Sequence, residues 1–161
     1  MKLARLRNKV DLIDAQIMGL LAKRADVTKR IGAAKARSSA PVYSPDREKY
    51  VYSRILKLNK GAISDSAVRA IYREIMSASL AMERSLEIAY LGPELTFTYL
   101  AALKKFGSSL SYAGCNTIGD VFAQVERARS DYGVVPIENS IEELRTTREE
   151  LLAGFPEYQK H

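Results

Sequence analysis

The sequence predicts an all-α module of three helices, one of them very long, followed by a partial α/β segment. Three observations carry that expectation. Residues 2–37 hold no proline and keep a continuous helical apolar spacing. Two further helical stripes follow, each opened by a serine or aspartate cap. At Ile88 the pattern changes to short apolar runs alternating with helical ones.

The first helix is expected over Lys2 to Arg37. Leu3, Leu6, Val10, Ile13, Ile17, Leu20, Val27, Ile31 and Ala34 alternate at intervals of three and four, a heptad seam. Arg24 stands where the seam wants a leucine. It is either a register device, its long side chain reaching to water, or part of a site. A helix of this length is a rod of roughly 54 Å, whereas a compact domain of about 90 residues has a radius of gyration near 12 Å. One such domain cannot cover the seam, so a homodimer is expected.

Ser38 to Pro41 reads as a break. Ser44 then reads as an N-cap, Pro45 as the first helical residue, and Asp46 and Glu48 as first-turn acids. This second helix is expected to reach about Asn59, with Gly61 closing it. Ser64 or Asp65 caps a third helix near Ser66 to Glu87, with an apolar stripe from Val68 to Leu80 continued in polar form by Ser79 and Glu83. Next come a strand at Ile88 to Leu91 and a helix capped by Thr96 and running through Lys105, with Gly107 after it. Leu110 to Ala113 is a second strand, Ile118 to Arg129 a helix, and Tyr132 to Ile137 a third strand. That order is the opening of a parallel sheet. Glu142 to Ala153 reads as a further helix. The expected division is 1–87, 88–142 and a divergent helical tail at 143–161.

Composition narrows the function. No apolar run reaches the ~20 residues of a membrane span, and the N-terminal residues are too charged for a secretory signal. A lone cysteine, Cys115, forms no internal disulfide, which fits a reducing, cytoplasmic setting. The only histidine, His161, is the last residue, which removes most histidine-based catalysis and most zinc sites. Residues 1–86 carry 18 Lys and Arg against 8 Asp and Glu, while residues 87–161 carry 7 against 11. The basic half suits nucleic acid or a small polyanion. A cation on an inward seam favours the small enclosed anion.

Arg24 and Lys35 are eleven residues apart, about 20° out of line on a helical wheel and roughly 16 Å along the axis. They can grip opposite ends of one small anion. Arg7 lies about 100° off that line and reaches such a cluster only from a partner chain. Arg47 and Glu48 open the second helix, and Ser79 and Glu83 lie on the inward face of the third. Simpler readings exist for each: Glu48 complements a helix N-terminus, Ser79 bonds the carbonyl four residues back, and Glu83 sits on a frayed end. Together they make a cationic pocket with one or two acids and no nucleophile. That suits a reaction needing positioning and charge stabilisation alone.

Leu6-Arg7, Asp14, Leu20 to Arg24, Ile31 to Lys35, Pro41-Val42, Asp46-Arg47-Glu48 and Ser79 to Glu83 resemble the all-helical chorismate mutase family, over residues 3 to about 86. The resemblance implies an intertwined helical dimer with two equivalent sites. It implies a Claisen rearrangement of chorismate, a dicarboxylate, to prephenate in phenylalanine biosynthesis, with no cofactor, metal, nucleic acid or membrane. By the resemblance, Arg7 of the partner chain and Arg24 hold the carboxylates. Lys35 donates to the ether oxygen, Arg47 and Glu48 hold the hydroxyl, and Ser79 adds a lesser contact. Glu83 stands where many members carry glutamine, the second donor to the ether oxygen. A glutamate donates only when protonated; burial would raise its pKa and Lys35 would lower it. Ser44 stands where some members have aspartate.

Ala89 to Thr98 and Gly133 to Ser140 resemble the start of prephenate dehydratase. Leu95 replaces a family glycine, and the acidic residues from Glu143 onward replace the expected continuation. Glu138, Asn139 and Ser140 are expected to face a prephenate site that lacks its other lobe, so mutase activity without dehydratase activity is expected. Two rival readings remain. A bare dimerisation module predicts that Arg24→Leu stabilises the dimer and removes no activity. A basic nucleic-acid binder predicts binding that weakens steeply with salt.

Overall fold

The computed structural model describes residues 2–38 and 41–137. The expectations for Glu142 to Ala153, and for Glu138, Asn139 and Ser140, lie outside the described residues. Eight elements follow one another in the described chain: α1 (Lys2–Ser38), α2 (Pro45–Leu58), α3 (Asp65–Glu83), β1 (Glu87–Leu91), α4 (Phe97–Phe106), β2 (Ser111–Cys115), α5 (Ile118–Glu126) and β3 (Tyr132–Val134). An all-helical part therefore precedes a βαβαβ part. None of the described helices is long and apolar enough to cross a membrane.

The chain divides into two compact units. Among the described residues, the first holds those up to Glu87 together with Leu103–Ser111; the second holds Ile88–Ala102 and residues 112–137. In the first unit, α1 and α2 both pack on α3. α1 is 37 residues, a rod of about 55 Å, and Thr28 is its one buried residue among those described. The seam residues named above, from Leu3 to Ile31, stay between 44 and 65% exposed. The helix thus has two faces. Arg24, Thr28, Ile31 and Lys35 border a cavity shared with α2 and α3, while Leu20 and Val27 belong to the uncovered face.

The caps explain where the shorter helices begin. Ser44 Oγ accepts from Arg47 N at 3.4 Å, and Pro45 follows it. Ser64 Oγ accepts from Ala67 N at 3.2 Å. α2 ends at Leu58 with Asn59 as C-cap, and Gly61, at φ 86°, takes the turn beyond it. α3 ends four residues earlier than its pattern suggested. It stops at Glu83 because Glu87 pairs into β1, and Leu86, buried to 1% exposure, accepts a backbone bond from Ser111 at 3.2 Å.

In the second unit the strand order is β2-β1-β3, with β1 and β3 parallel in the register Ile88↔Tyr132, Ala89↔Gly133, Tyr90↔Val134. Ala89, Cys115 and Val121 form its core, with Leu91 and Val135 packed against them. α5 starts from a reciprocal cap, Thr117 Oγ1 accepting from Asp120 N and the Asp120 carboxylate accepting from Thr117 N. It ends at Glu126 rather than Arg129, because Ala128 takes a left-handed φ of 51°. β2 begins at Ser111, one residue later than expected, and β3 ends at Val134, three residues early, just before Pro136. Leu95 adopts φ 68°, a region that favours glycine.

Candidate active site

A cavity of about 300 Å³ lies in the first unit, at the lower end of the range for small-molecule pockets. Its wall includes Arg24, Lys35, Arg47, Glu48, Ser79 and Glu83, six of the seven residues singled out in the sequence. The seventh, Arg7, is exposed on α1 and not among the residues around this chain's cavity.

Each side chain is placed by its helix. α1 presents Arg24, Thr28, Ile31 and Lys35 at intervals of four, three and four, one continuous face. Gly32 lets that face approach α3: a Cβ at Gly32 would stand 3.1 Å from Glu83 Cα. Lys35 Nζ therefore reaches Glu83 Oε2 at 2.8 Å and Val42 O at 2.6 Å. The Glu83 side chain is only 9% exposed although it is the last residue of α3. Helix-end fraying is thus not its state. Arg24 Nη1 donates to Ser79 Oγ and to Ile75 O, the latter at 3.5 Å. Ser79 Oγ in turn donates to Ile75 O at 2.7 Å, so Ser79 does bond the carbonyl four residues back while also receiving Arg24.

Glu48 lies at the start of α2 with its side chain 14% exposed. Its Oε2 accepts from Tyr43 Oη at 2.6 Å and from Lys105 Nζ at 2.6 Å. The guanidinium of Arg47 stacks over Tyr50, 5.0 Å from its ring centroid. Burial pulls the Arg24 guanidinium below its ordinary pKa, with Arg47 adding to that effect and Tyr72 and Glu83 opposing it. Burial, and then the bond to Glu48, pushes the Tyr43 phenol above its ordinary value, so Tyr43 remains a donor. Burial alone would depress Lys105, but its bonds to Glu48 and Tyr43 outweigh burial and raise its pKa.

Lys105, Tyr43, Thr28, Arg73 and Phe106 also border the cavity. Thr28 was within reach of the wheel, being four residues from Arg24. Lys105 carried no local signal, since it reads as one of two cations complementing the end of α4.

The arrangement holds charges in fixed positions around a space and offers no pair built for nucleophilic attack. It can bind a small polyanion and stabilise negative charge that develops at a fixed point. Residues 6–84 match the chorismate mutase type II family, and residues 88–156 match the prephenate dehydratase family. Similar relatives are bifunctional chorismate mutase/prephenate dehydratases. That of Aquifex aeolicus is 48% identical over 145 residues, covering 88% of this chain and 40% of the relative. That of Neisseria gonorrhoeae is 49% identical over 136 residues, covering 84% and 37%. That of Escherichia coli K12 is 31% identical over 155 residues, covering 86% and 40%. The chain thus spans about two fifths of the length of these relatives. The chain is thus similar to the type II chorismate mutase family over residues 6–84 and to part of the prephenate dehydratase family over residues 88–156.

Proposed function

We propose that the first unit rearranges chorismate to prephenate, without a covalent intermediate. The observation that carries this reading is the Lys35–Glu83 pair at 2.8 Å inside a cavity that also holds Arg24. Arg24 binds one substrate carboxylate through charge-assisted bonds. Lys35 and Glu83 flank the ether oxygen, which gains negative charge as the carbon–oxygen bond breaks. Lys35 donates to it, an interaction stronger in the transition state than in the bound substrate. Arg47 and Glu48 hold the ring hydroxyl, and Ser79 fixes Arg24 from behind.

The second carboxylate is met by Arg7 of another copy of this chain. Two features support a homodimer. The apolar seam of α1 from Leu3 to Ile31 is exposed, and a continuous apolar face of that length on an isolated chain marks an interaction surface. Arg7 is on the same helix as Arg24 but about 25 Å away along it, too far to share one small ligand within a chain.

The test is loss of chorismate absorbance catalysed by the wild type and by Lys35→Ala. Removing a single donor aimed at developing charge costs about 10²–10³ in turnover, and that fall is expected. A Lys35→Ala protein that turns chorismate over at the wild-type rate would reject this reading.

A further inference from the structure

We propose that Lys105 is a positioning residue of this cavity, acting through Glu48, and that the site is therefore incomplete within the 6–84 stretch of the mutase family. The inference rests on the functional reading above and extends it to a residue from the prephenate dehydratase match. Lys105 is in the last turn of α4, yet residues Leu103–Ser111 fold with the first unit.

Several contacts hold this segment in place. Gly107 ends α4 at φ 78°, and a Cβ there would stand 2.5 Å from Ser77 Cβ. Only glycine supplies both that backbone and that clearance. Beyond it, Ser108 donates to Glu74 Oε2 from its backbone at 2.9 Å and from its hydroxyl at 2.6 Å. Ser109 N donates to Ser77 Oγ at 3.1 Å. Phe106 packs edge-on to Tyr43, centroids 5.3 Å apart. The end of α4 is thus fastened to α3 and to the segment before α2, and Lys105 Nζ lands 2.6 Å from Glu48 Oε2 and 5.5 Å from the centre of the Tyr43 ring.

The consequence for the chemistry is twofold. Both donors, Tyr43 and Lys105, fall on Oε2, which leaves Oε1 to accept the substrate hydroxyl. A carboxylate bordering a cavity that takes a dianion also repels its ligand, and Lys105 offsets that charge. Because the offset acts on bound substrate and transition state alike, it belongs to KM more than to kcat.

The test is Lys105→Met in the full chain, in wild-type and Glu48→Gln backgrounds, with Lys105→Arg as the conservative variant. Lys105→Met is expected to raise KM for chorismate about five- to tenfold with kcat changed less than about twofold. Lys105→Arg restores most of the loss. In the Glu48→Gln background the same substitution has little further effect, since its partner carboxylate is gone. An equal effect in both backgrounds, or none in either, overturns the proposal. A readout independent of turnover separates this outcome from failure of the mutase reading. In competitive acetylation followed by mass spectrometry, Lys105, half exposed but paired with Glu48, should react several-fold more slowly than its neighbour Lys104, and Glu48→Gln should erase the difference. Equal labelling of the two lysines in the wild type removes the pair, whatever the enzyme does with chorismate.

Discussion

Glu83 is one of the two carboxylates, with Glu48, that this cavity sets among its cations. Its carboxylate accepts from Lys35 at 2.8 Å, and a carboxylate that only accepts cannot donate to an ether oxygen. Glu83→Gln keeps the shape and carries an amide N–H that can donate, so if this position supplies the second donor of the proposed rearrangement, kcat/KM of the variant should equal or exceed that of the wild type. A Glu83→Gln protein at least about tenfold slower than the wild type would mean that the site uses the carboxylate itself, as the partner of Lys35. Lys35 gains from the same pairing, because Val42 O and Glu83 hold its ammonium in one place before substrate arrives. Such prior placement avoids reorganisation when charge appears on the oxygen.

At the scale of elements, the site depends on how closely α1 lies against α3. Gly32 sets that approach. Replacing it with alanine improves helix propensity by about 1 kcal/mol, but the new Cβ would meet the Glu83 backbone at 3.1 Å and its side chain at 3.2 Å. Backbone cannot swing aside, so the helices must part by a few tenths of an ångström. Gly32→Ala is expected to lower turnover about tenfold, since small misplacements near reacting atoms are costly. The melting temperature should move by only a few degrees. Unchanged turnover would mean that the approach is not critical. The same contrast explains what could be read in advance. The caps at Ser44, Ser64 and Thr96, whose Oγ1 accepts from Tyr99 N at 3.3 Å before α4, and the stripe that places Ser79 and Glu83 are local features, set within a few residues of sequence. Lys105 was not legible, because its place depends on Gly107 fitting against Ser77, a contact 30 residues apart in the chain. The early end of α3 has a related cause: residues 84–87 suit a helix locally, and it is the backbone bond from distant Ser111 to Leu86, with β1 beginning at Glu87, that takes them out of it.

For the whole molecule, the dominant fact is a helix of 37 residues with one buried residue among those described. The length of α1 and its seam were legible from spacing alone. So was the misfit of Arg24, which on this chain turns toward α3 while its seam neighbours Leu20 and Val27 stay exposed. The charge asymmetry follows the same division, with the cations gathered in the half that forms the cavity. A nucleic-acid groove would leave those cations open along a surface; here Arg24 and Lys35 are engaged with Ser79 and Glu83. If two copies pair along the seam, each cavity is assembled from Lys35 of one chain and Arg7 of the other. Arg7→Ala and Lys35→Ala proteins should each be nearly inactive alone. After unfolding and refolding together in equal amounts, half the dimers are mixed, and each mixed dimer holds one intact cavity and one doubly defective one. Activity should return to about a quarter of the wild-type value per chain. If Arg7 instead served the cavity of its own chain, every cavity in every dimer would carry one defect, and the mixture would stay as inactive as its components.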